Sequence, residues 1–287
     1  MEQTNRLSVP RGLLEGLGRY LLWLAQEEKS RLTIEKYGRD IRHFLVFAGE
    51  RPVTKELLLQ YKDSLLDQNY AVASINSMLV ALNRYLAYLG FGGLRIRLLK
   101  SQRQVYCPEE KEISREEYSR LVQEAKRRKD ERLALILQTI ASTGIRIGEL
   151  KDITVEAVRE GKATVRSKNK SRTVFLPGKL KKYLAEYIKK KRIQEGPVFR
   201  TKRGRPVDRC SVWKKMKELC RGAKVEEGKV FPHNLRHLFA RTYYQLEKDI
   251  AKLSDLLGHS SIETTRIYIM TSGREHRRQM EKLKLIL

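Results

Sequence analysis

The sequence has little cysteine, and the spacing of its three cysteines is not that of a structural site. Cys107, Cys210 and Cys220 form neither a CxxC pair nor the cysteine and histidine pattern of a zinc site. An odd number of cysteines also argues against a disulfide framework. The composition therefore excludes small disulfide-rich proteins and zinc-stabilised folds, and it favours a reducing compartment.

Long apolar segments are also missing from the sequence. No stretch is apolar over the ~18 residues that a membrane-spanning helix needs, and the N-terminus contains no apolar segment of the kind found in secretory signals. Apolar residues nevertheless make up 41% of the 287 residues, which is enough for one large domain or two smaller ones. We therefore expect a globular cytoplasmic protein that does not bind a membrane.

Acidic residues are scarce relative to basic ones. The chain has 60 Lys and Arg residues against 34 Asp and Glu residues, a formal net charge of +26. Repulsion of this size opposes compaction unless a polyanion neutralises it, and the usual polyanion is the nucleic acid backbone. Ribosomal proteins and proteins of membrane surfaces can be as basic, so the charge indicates a nucleic acid partner without identifying a reaction.

Four amphipathic patterns in the first ~100 residues predict four helices. In each pattern apolar residues recur on one helical face, and Thr33, Thr54 and Ser74 are candidate N-caps of the second, third and fourth helices. Stripes of leucine and aromatic residues usually form the core of a helical domain and seldom bind a ligand. We therefore predict a compact four-helix unit.

A basic segment separates this unit from the rest of the chain. Three glycines between residues 90 and 93 end the helical pattern, and the following residues are basic, aperiodic and interrupted by Pro108. We predict a linker at this point. The expected organisation is a helical domain at residues 1–97, a basic linker at residues 98–111 and a second domain at residues 112–287.

The second domain combines helical patterns with one short hairpin. Ser114 has the spacing of a capping box, and Asp130 is a candidate cap of a helix that ends at Gly144. Strand-like segments at 163–166 and 173–176 flank the polar turn SKNKSR. The remaining segments are helical in pattern, so the predicted fold class is mainly α with a small β-hairpin.

The first two positions suited to phosphate chemistry are Arg146 and Lys168. Arg146 is expected just inside a helix that follows a glycine, where its guanidinium could bind a phosphate beside the positive helix N-terminus. The alternative is a surface arginine paired to Glu149. Lys168 lies at the tip of the predicted hairpin, where the alternative is a solvated turn lysine.

Three further positions follow towards the C-terminus. His233 and Arg236 are three residues apart on one helical face, so an acid or base and a phosphate-binding group could act on the same atom. His237 is expected to point elsewhere and to be structural. His259 follows a glycine at a helix end, where a simple C-cap is the alternative. Tyr268, nine residues later, is by itself typical of a core tyrosine.

Taken in order, these residues resemble the tyrosine recombinases, the family of phage integrases and Xer recombinases. The resemblance covers essentially the whole chain. It departs from the family in the hairpin, which lacks a glycine after Lys168, so that Lys170 stays an alternative for the catalytic lysine. The matching strings are TIEKYGRDIRHFLVF (33–47), TGIRIGEL (143–150), SKNKSRTVFLP (167–177), HNLRH (233–237) and LGHSSIETTRIY (257–268).

The resemblance implies a SAM-like core-binding domain, an α+β catalytic domain and a defined chemistry. The Tyr268 hydroxyl would attack a phosphate of duplex DNA to give a 3′-phosphotyrosine, which conserves the energy of the phosphodiester and needs no ATP. Arg146 and Arg236 would stabilise the charge of the transition state, so no metal or other cofactor is expected. The other implied roles are proton donation to the leaving 5′-oxygen by Lys168, proton transfer at the tyrosine by His233 and a hydrogen bond to the phosphate from His259.

The resemblance also implies partners. These are double-stranded DNA with a specific core site and further copies of the chain in a tetramer, within a bacterial or archaeal cell at the nucleoid. The tail at residues 274–287 places Met280, Leu283 and Leu287 on one helical face that must dock, either on its own subunit or on a neighbour. The sequence does not distinguish a mobile-element integrase from a chromosome-dimer resolvase.

Two other functions remain alternatives. A type IB topoisomerase shares the chemistry but relaxes supercoils, and the short helical N-terminal domain disfavours it. A DNA-binding regulator with an inactive site is disfavoured because every catalytic position is filled. Relaxation without a specific site would indicate the topoisomerase, and binding without a covalent adduct would indicate the regulator.

Overall fold

The computed structural model describes residues 11–100, 112–167, 170–259, 261–266 and 281–282. The chain forms two compact units, Met1–Arg103 and Gln104–Leu287, and each has its own hydrophobic core. No helix in these described ranges is long and apolar enough to cross a membrane.

The N-terminal unit contains the four predicted helices. They are α1 (Arg11–Gln26), α2 (Arg31–Ala48), α3 (Lys55–Asp67) and α4 (Val72–Tyr88). The stripes seen in the sequence meet in one core, as expected for amphipathic helices that bury their apolar faces. Fully buried members of this core include Tyr20, Leu24, Ile41, Phe44, Leu58, Leu65, Ile75 and Leu79.

The caps of these helices agree with the sequence prediction at one position of three. Thr54 caps α3, with its hydroxyl accepting a hydrogen bond from the backbone N–H of Leu57 at 3.2 Å. The predicted cap Thr33 is wrong, because Ser30 caps α2 and accepts from the Thr33 N–H. The predicted cap Ser74 is also wrong, since α4 begins one turn earlier without a side-chain cap.

The segment after α4 lies extended along the helix surface. The side-chain amide of Asn83 donates to the carbonyl of Ile96 and accepts from its N–H, both at 2.9 Å, and Asn76 makes the same pair of bonds with Leu99. The two asparagines are about two helical turns apart, a rise of about 10.5 Å, and their two partners are three extended residues apart, a span of about 10 Å. The spacing on the helix therefore matches the spacing along the extended segment. The start of the predicted linker is therefore held by side chains of α4.

The second unit begins with α5 (Arg115–Arg127) and α6 (Glu131–Thr143). The predicted caps are both confirmed: Ser114 and Glu117 form a capping box, and Asp130 accepts from the Leu133 N–H at 3.0 Å. Helix α6 is buried along much of its length and packs against α5 and later helices. It is the centre of the second core.

The main elements of the rest of this unit follow α6 along the chain. They are a 3-10 helix (Ile147–Asp152), α7 (Val155–Glu160), strands β1 (Lys162–Ser167) and β2 (Lys170–Phe175), α8 (Gly178–Lys191), α9 (Arg209–Ala223), α10 (Pro232–Glu247), α11 (Ile250–Leu257) and α12 (Ile262–Arg266). The strands form the predicted antiparallel hairpin and are longer than expected, since Ser167 pairs with Lys170. Lys168 lies outside the described residues. The mainly helical fold with one small sheet is confirmed.

Candidate active site

The end of α6 places Arg146. Gly144 ends the helix in the left-handed region at φ 65°, and a Cβ there would lie 2.4 Å from the Phe239 ring, so only glycine fits without a shift. Two residues later Arg146 is the N-cap residue of the 3-10 helix, whereas the sequence predicted it just inside a helix. Its side chain is 37% exposed, so its guanidinium is accessible from solvent.

Arg146 is held by a buried carboxylate. Glu149 accepts from the Arg146 backbone N–H at 2.8 Å and from its Nη1 at 3.1 Å. The pairing that the sequence raised as an alternative is therefore present, but it orients an accessible arginine. Burial opposes ionisation of Glu149, yet the hydrogen bonds from Arg172 and Arg146 outweigh it and keep the pKa of the carboxyl below its usual value.

Arg172 is a second partner of Glu149 that sequence reasoning missed. Its Nη1 and Nη2 donate to the two oxygens of Glu149 at 2.9 and 2.8 Å, and its Nε donates to the carbonyl of Leu256 at 3.1 Å. A signal was present in the strand, because Arg172 alternates in phase with the buried Val174 and Leu176. An arginine on the inward face of a strand needs partners for its charge and its donors, and a buried carboxylate can provide both.

Helix α10 contributes the second arginine of the predicted site. Arg236 is 1% exposed, and its Nη1 donates to the carbonyl of Gly144 at 2.6 Å. Its Nη2 donates to the carbonyl of Leu257 at 2.7 Å and lies 2.9 Å from Nε2 of His259. Arg236 therefore joins the end of α6, the end of α11 and the predicted active-site histidine.

The two histidines of α10 lie together. His233 is exposed at the start of the helix, and its ring packs edge-to-face against His237 with 4.8 Å between centroids. The expectation that His237 points elsewhere is therefore wrong, because residues four apart share a helical face. Desolvation and the charges of Arg236 and Arg146 lower the pKa of His233, and desolvation, His233 and Arg236 lower that of His237 to about 4.

His259 follows the glycine that ends α11. Its Nε2 lies near Arg236, and its Nδ1 lies 2.8 Å from Oγ1 of the buried Thr265. Arginine has only donors, so Nε2 accepts and we assign the ring proton to Nδ1, which donates to Thr265. Desolvation and then the charges of Arg236 and Arg146 lower the pKa of His259 to about 4, so the ring is neutral at pH 7.

The structure thus brings four of the six predicted residues into one cluster. Arg146, His233, Arg236 and His259 come from the 3-10 helix, α10 and the turn after α11, and their charges act on one another. Lys168 and Tyr268 lie outside the described residues. The sequence did not single out Arg172 and Thr265, and it named Glu149 only as the partner of a surface arginine. Each of these residues hydrogen-bonds to a member of the cluster or to its partner.

Comparison with known sequences identifies the family of this site. The chain matches the phage integrase family over residues 111–274 and the SAM-like N-terminal domain of phage integrases over residues 17–90. Tyrosine recombinase XerA of Thermococcus kodakarensis is 30% identical over 293 residues, with 98% of each chain covered. Tyrosine recombinase XerA of Pyrococcus furiosus is 29% identical over 279 residues, with 95% of each chain covered.

Solved structures agree with this relationship. A crystal structure of XerA recombinase is 27% identical, with a TM-score of 0.54, and the match covers 95% of this chain and 99% of that one. A lambda integrase tetramer bound to a Holliday junction shares the fold at 18% identity, with a TM-score of 0.73 and coverage of 92% and 78%. These comparisons favour neither a topoisomerase nor an inactive regulator. The chain belongs to the phage integrase family and is a tyrosine-type site-specific DNA recombinase.

Proposed function

We propose that the chain cleaves duplex DNA at a specific core site through Tyr268. The Tyr268 oxygen forms a bond to the scissile phosphorus as the bond to the 5′-oxygen breaks, which leaves a 3′-phosphotyrosine and a 5′-hydroxyl. Rejoining reverses these steps with the 5′-hydroxyl of a partner strand, so no external energy source is needed. The observation that supports this proposal best is the cluster of Arg146, Arg236, His233 and His259.

Arg146 is the group best placed to receive the scissile phosphate. Glu149 holds its backbone N–H and its Nη1, while the side chain keeps 37% of its surface exposed. An arginine oriented in advance stabilises charge that develops on the nonbridging oxygens without reorganising during the reaction. This is work that other phosphoryl-transfer enzymes assign to a metal ion, so we propose cleavage without one.

Arg236 and His259 act together in this proposal. Arg236 is buried and donates to two backbone carbonyls and to His259. Its guanidinium can therefore contact a phosphate only if DNA binding rearranges these hydrogen bonds. When the Arg236 guanidinium turns to the phosphate, Nε2 of His259 loses its donor. A nearby phosphate charge then raises the pKa of His259 from about 4, which allows the ring to take up a proton and donate to the phosphate.

Proton transfer falls to His233 and a hairpin lysine. A tyrosine with a pKa near ~10 is a poor nucleophile at neutral pH, and His233 is exposed and has a lowered pKa, so it can accept the Tyr268 proton. We propose Lys168 as the acid that protonates the leaving 5′-oxygen. Lys168 lies outside the described residues and follows the last residue of β1 in the sequence, and Lys170 at the start of β2 is the alternative.

The nucleophile is tested with a nicked suicide duplex, which traps the covalent adduct for denaturing gel electrophoresis. Tyr268→Phe should bind DNA normally and form no adduct, because only the attacking oxygen is lost. Tyr183→Phe, a half-buried tyrosine on α8, is the matched control and should form adduct at the rate of the unmodified protein. Adduct in Tyr268→Phe would refute the assignment, and adduct that requires magnesium after EDTA treatment would refute the metal-free mechanism.

We further propose that the tail at residues 274–287 links subunits into a tetramer on DNA. The lambda integrase neighbour is a tetramer bound to a Holliday junction, and XerH is bound to its difH substrate. Truncation from Met280 should preserve binding to one half-site and weaken cooperative binding to two, as measured by gel shift. Unchanged cooperativity together with normal recombination would show that the tail docks within its own subunit.

A further inference from the structure

Arg172 lies next to the proposed catalytic cluster but is less exposed than Arg146. All three kinds of guanidinium nitrogen are used within the protein: Nη1 and Nη2 on Glu149, and Nε on the carbonyl of Leu256. The side chain is only 12% exposed, against 37% for Arg146. All of the hydrogen bonds that its side chain makes among the described residues go to Glu149 and to the last turn of α11, so the contacts seen in the structure allow Arg172 to act on the reaction through these groups.

One of these groups leads to Arg146. Each oxygen of Glu149 is shared between the two arginines: Oε1 accepts from Nη1 of both, and Oε2 accepts from Nη2 of Arg172 and the backbone N–H of Arg146. The bidentate contact from Arg172 fixes the plane of the carboxylate. A fixed carboxylate in turn fixes the backbone and the guanidinium of Arg146, and a lysine at position 172 could not make the same paired contact.

The other contact leads to His259. The carbonyl of Leu256 lies in the last turn of α11, and Nε of Arg172 holds it at 3.1 Å. Gly258 then turns the chain at φ 65°, and a Cβ there would lie 2.7 Å from Cδ of Arg172. The stem of Arg172 therefore packs against the turn that presents His259 to Arg236.

We propose that Arg172 is a positioning residue for the cleavage reaction, which orients Arg146 through Glu149 and holds the turn that carries His259. The inference rests on the catalytic roles proposed above for Arg146 and His259. Because it acts on orientation, loss of Arg172 should slow cleavage while leaving the affinity for DNA nearly unchanged. Small misplacements of catalytic groups cost up to about 10²-fold in rate.

The test is the single-turnover rate of adduct formation on the nicked duplex at saturating protein, beside the dissociation constant for a half-site. Arg172→Lys should cleave on the order of 10- to 100-fold more slowly, with the dissociation constant within about twofold. Methylguanidinium at millimolar concentration should partly restore Arg172→Ala, which a general loss of stability would not allow. Arg159→Ala, an exposed arginine on α7, is the matched control and should cleave normally.

Arg146→Ala and Tyr268→Phe are measured in the same assay to test the proposed active site separately from the positioning role of Arg172. If both are inactive while folded Arg172→Lys and Arg172→Ala cleave normally, the positioning role is overturned and the proposed site stands. If Arg146→Ala and Tyr268→Phe cleave normally, the proposed site itself is wrong. Should Arg172→Ala fail to fold, Arg172→Lys decides alone, because it keeps a positive charge beside the buried Glu149.

Discussion

Replacing Gly144 by alanine tests the packing that brings the cluster together. Gly144 has φ 65°, and an added Cβ would lie 2.4 and 2.7 Å from two carbons of the Phe239 ring and 3.0 Å from Leu257. Gly148, four residues later in the same motif, has no such constraint: among described residues nothing lies within 4 Å of an added Cβ. The two glycines are therefore a matched pair.

The expected cost at Gly144 follows from two contributions. The left-handed conformation costs a residue with a Cβ about 1–2 kcal/mol. Overpacking against Phe239 and Leu257 adds about 1–3 kcal/mol, so Gly144→Ala should lower the free energy of unfolding by about 2–5 kcal/mol. Gly148→Ala should change the free energy of unfolding by less than about 1 kcal/mol. We expect a small increase, because alanine lowers the conformational entropy of the unfolded chain.

The measurement is urea unfolding followed by circular dichroism, combined with the cleavage rate under conditions where both variants are folded. The carbonyls of Gly144 and Leu257 both bind Arg236, so a shift of these segments should also slow cleavage in Gly144→Ala. Gly148→Ala should cleave normally. Equal stability losses in the two variants, or a Gly144→Ala protein as stable as the original, would refute this account of the turn.

Three further predictions follow from the geometry. A 5′-bridging phosphorothiolate, whose leaving group needs no proton, should rescue Lys168→Ala selectively, and rescue of Lys170→Ala alone would reassign the acid. The pKa of His237, about 4, lies below the ordinary 6.5, so the unfolded chain binds protons first. The contribution of His237 to the free energy of unfolding should be fully present above pH 6.5 and should be lost as the pH falls towards 4. Urea unfolding of His237→Gln should therefore show a flatter pH dependence. Asn83→Ala should lower the free energy of unfolding by about 1–3 kcal/mol, because the buried Ile96 loses the partners of its N–H and carbonyl; unchanged amide exchange at Ile96 would contradict this.

The features that the sequence predicted correctly depend on neighbours along the chain. Helical stripes, the caps Thr54 and Asp130 and the glycine turn at Gly144 each involve residues within a few positions of one another. The misplaced caps Thr33 and Ser74 show the limit of such signals, because several hydroxyl residues near a helix start can compete and the structure selects one or none. The family was likewise predicted correctly, because its motifs are linear properties of the sequence, whereas the catalytic roles of the motif residues stay predictions.

The sequence by itself therefore determined the class of fold and the family. Only the tertiary structure decided how these residues are held. Glu149 and Arg172 are separated along the chain by α7 and β1, and Arg236 on α10 contacts Gly144 at the end of α6, 92 residues earlier in the sequence. The assignment of the His259 ring proton to Nδ1 depends on the contacts of its two nitrogens with Arg236 and Thr265. Buried charges and donors need hydrogen-bond partners, and here the partners come from segments that are far apart in the sequence. These segments come within hydrogen-bonding distance only when the chain folds.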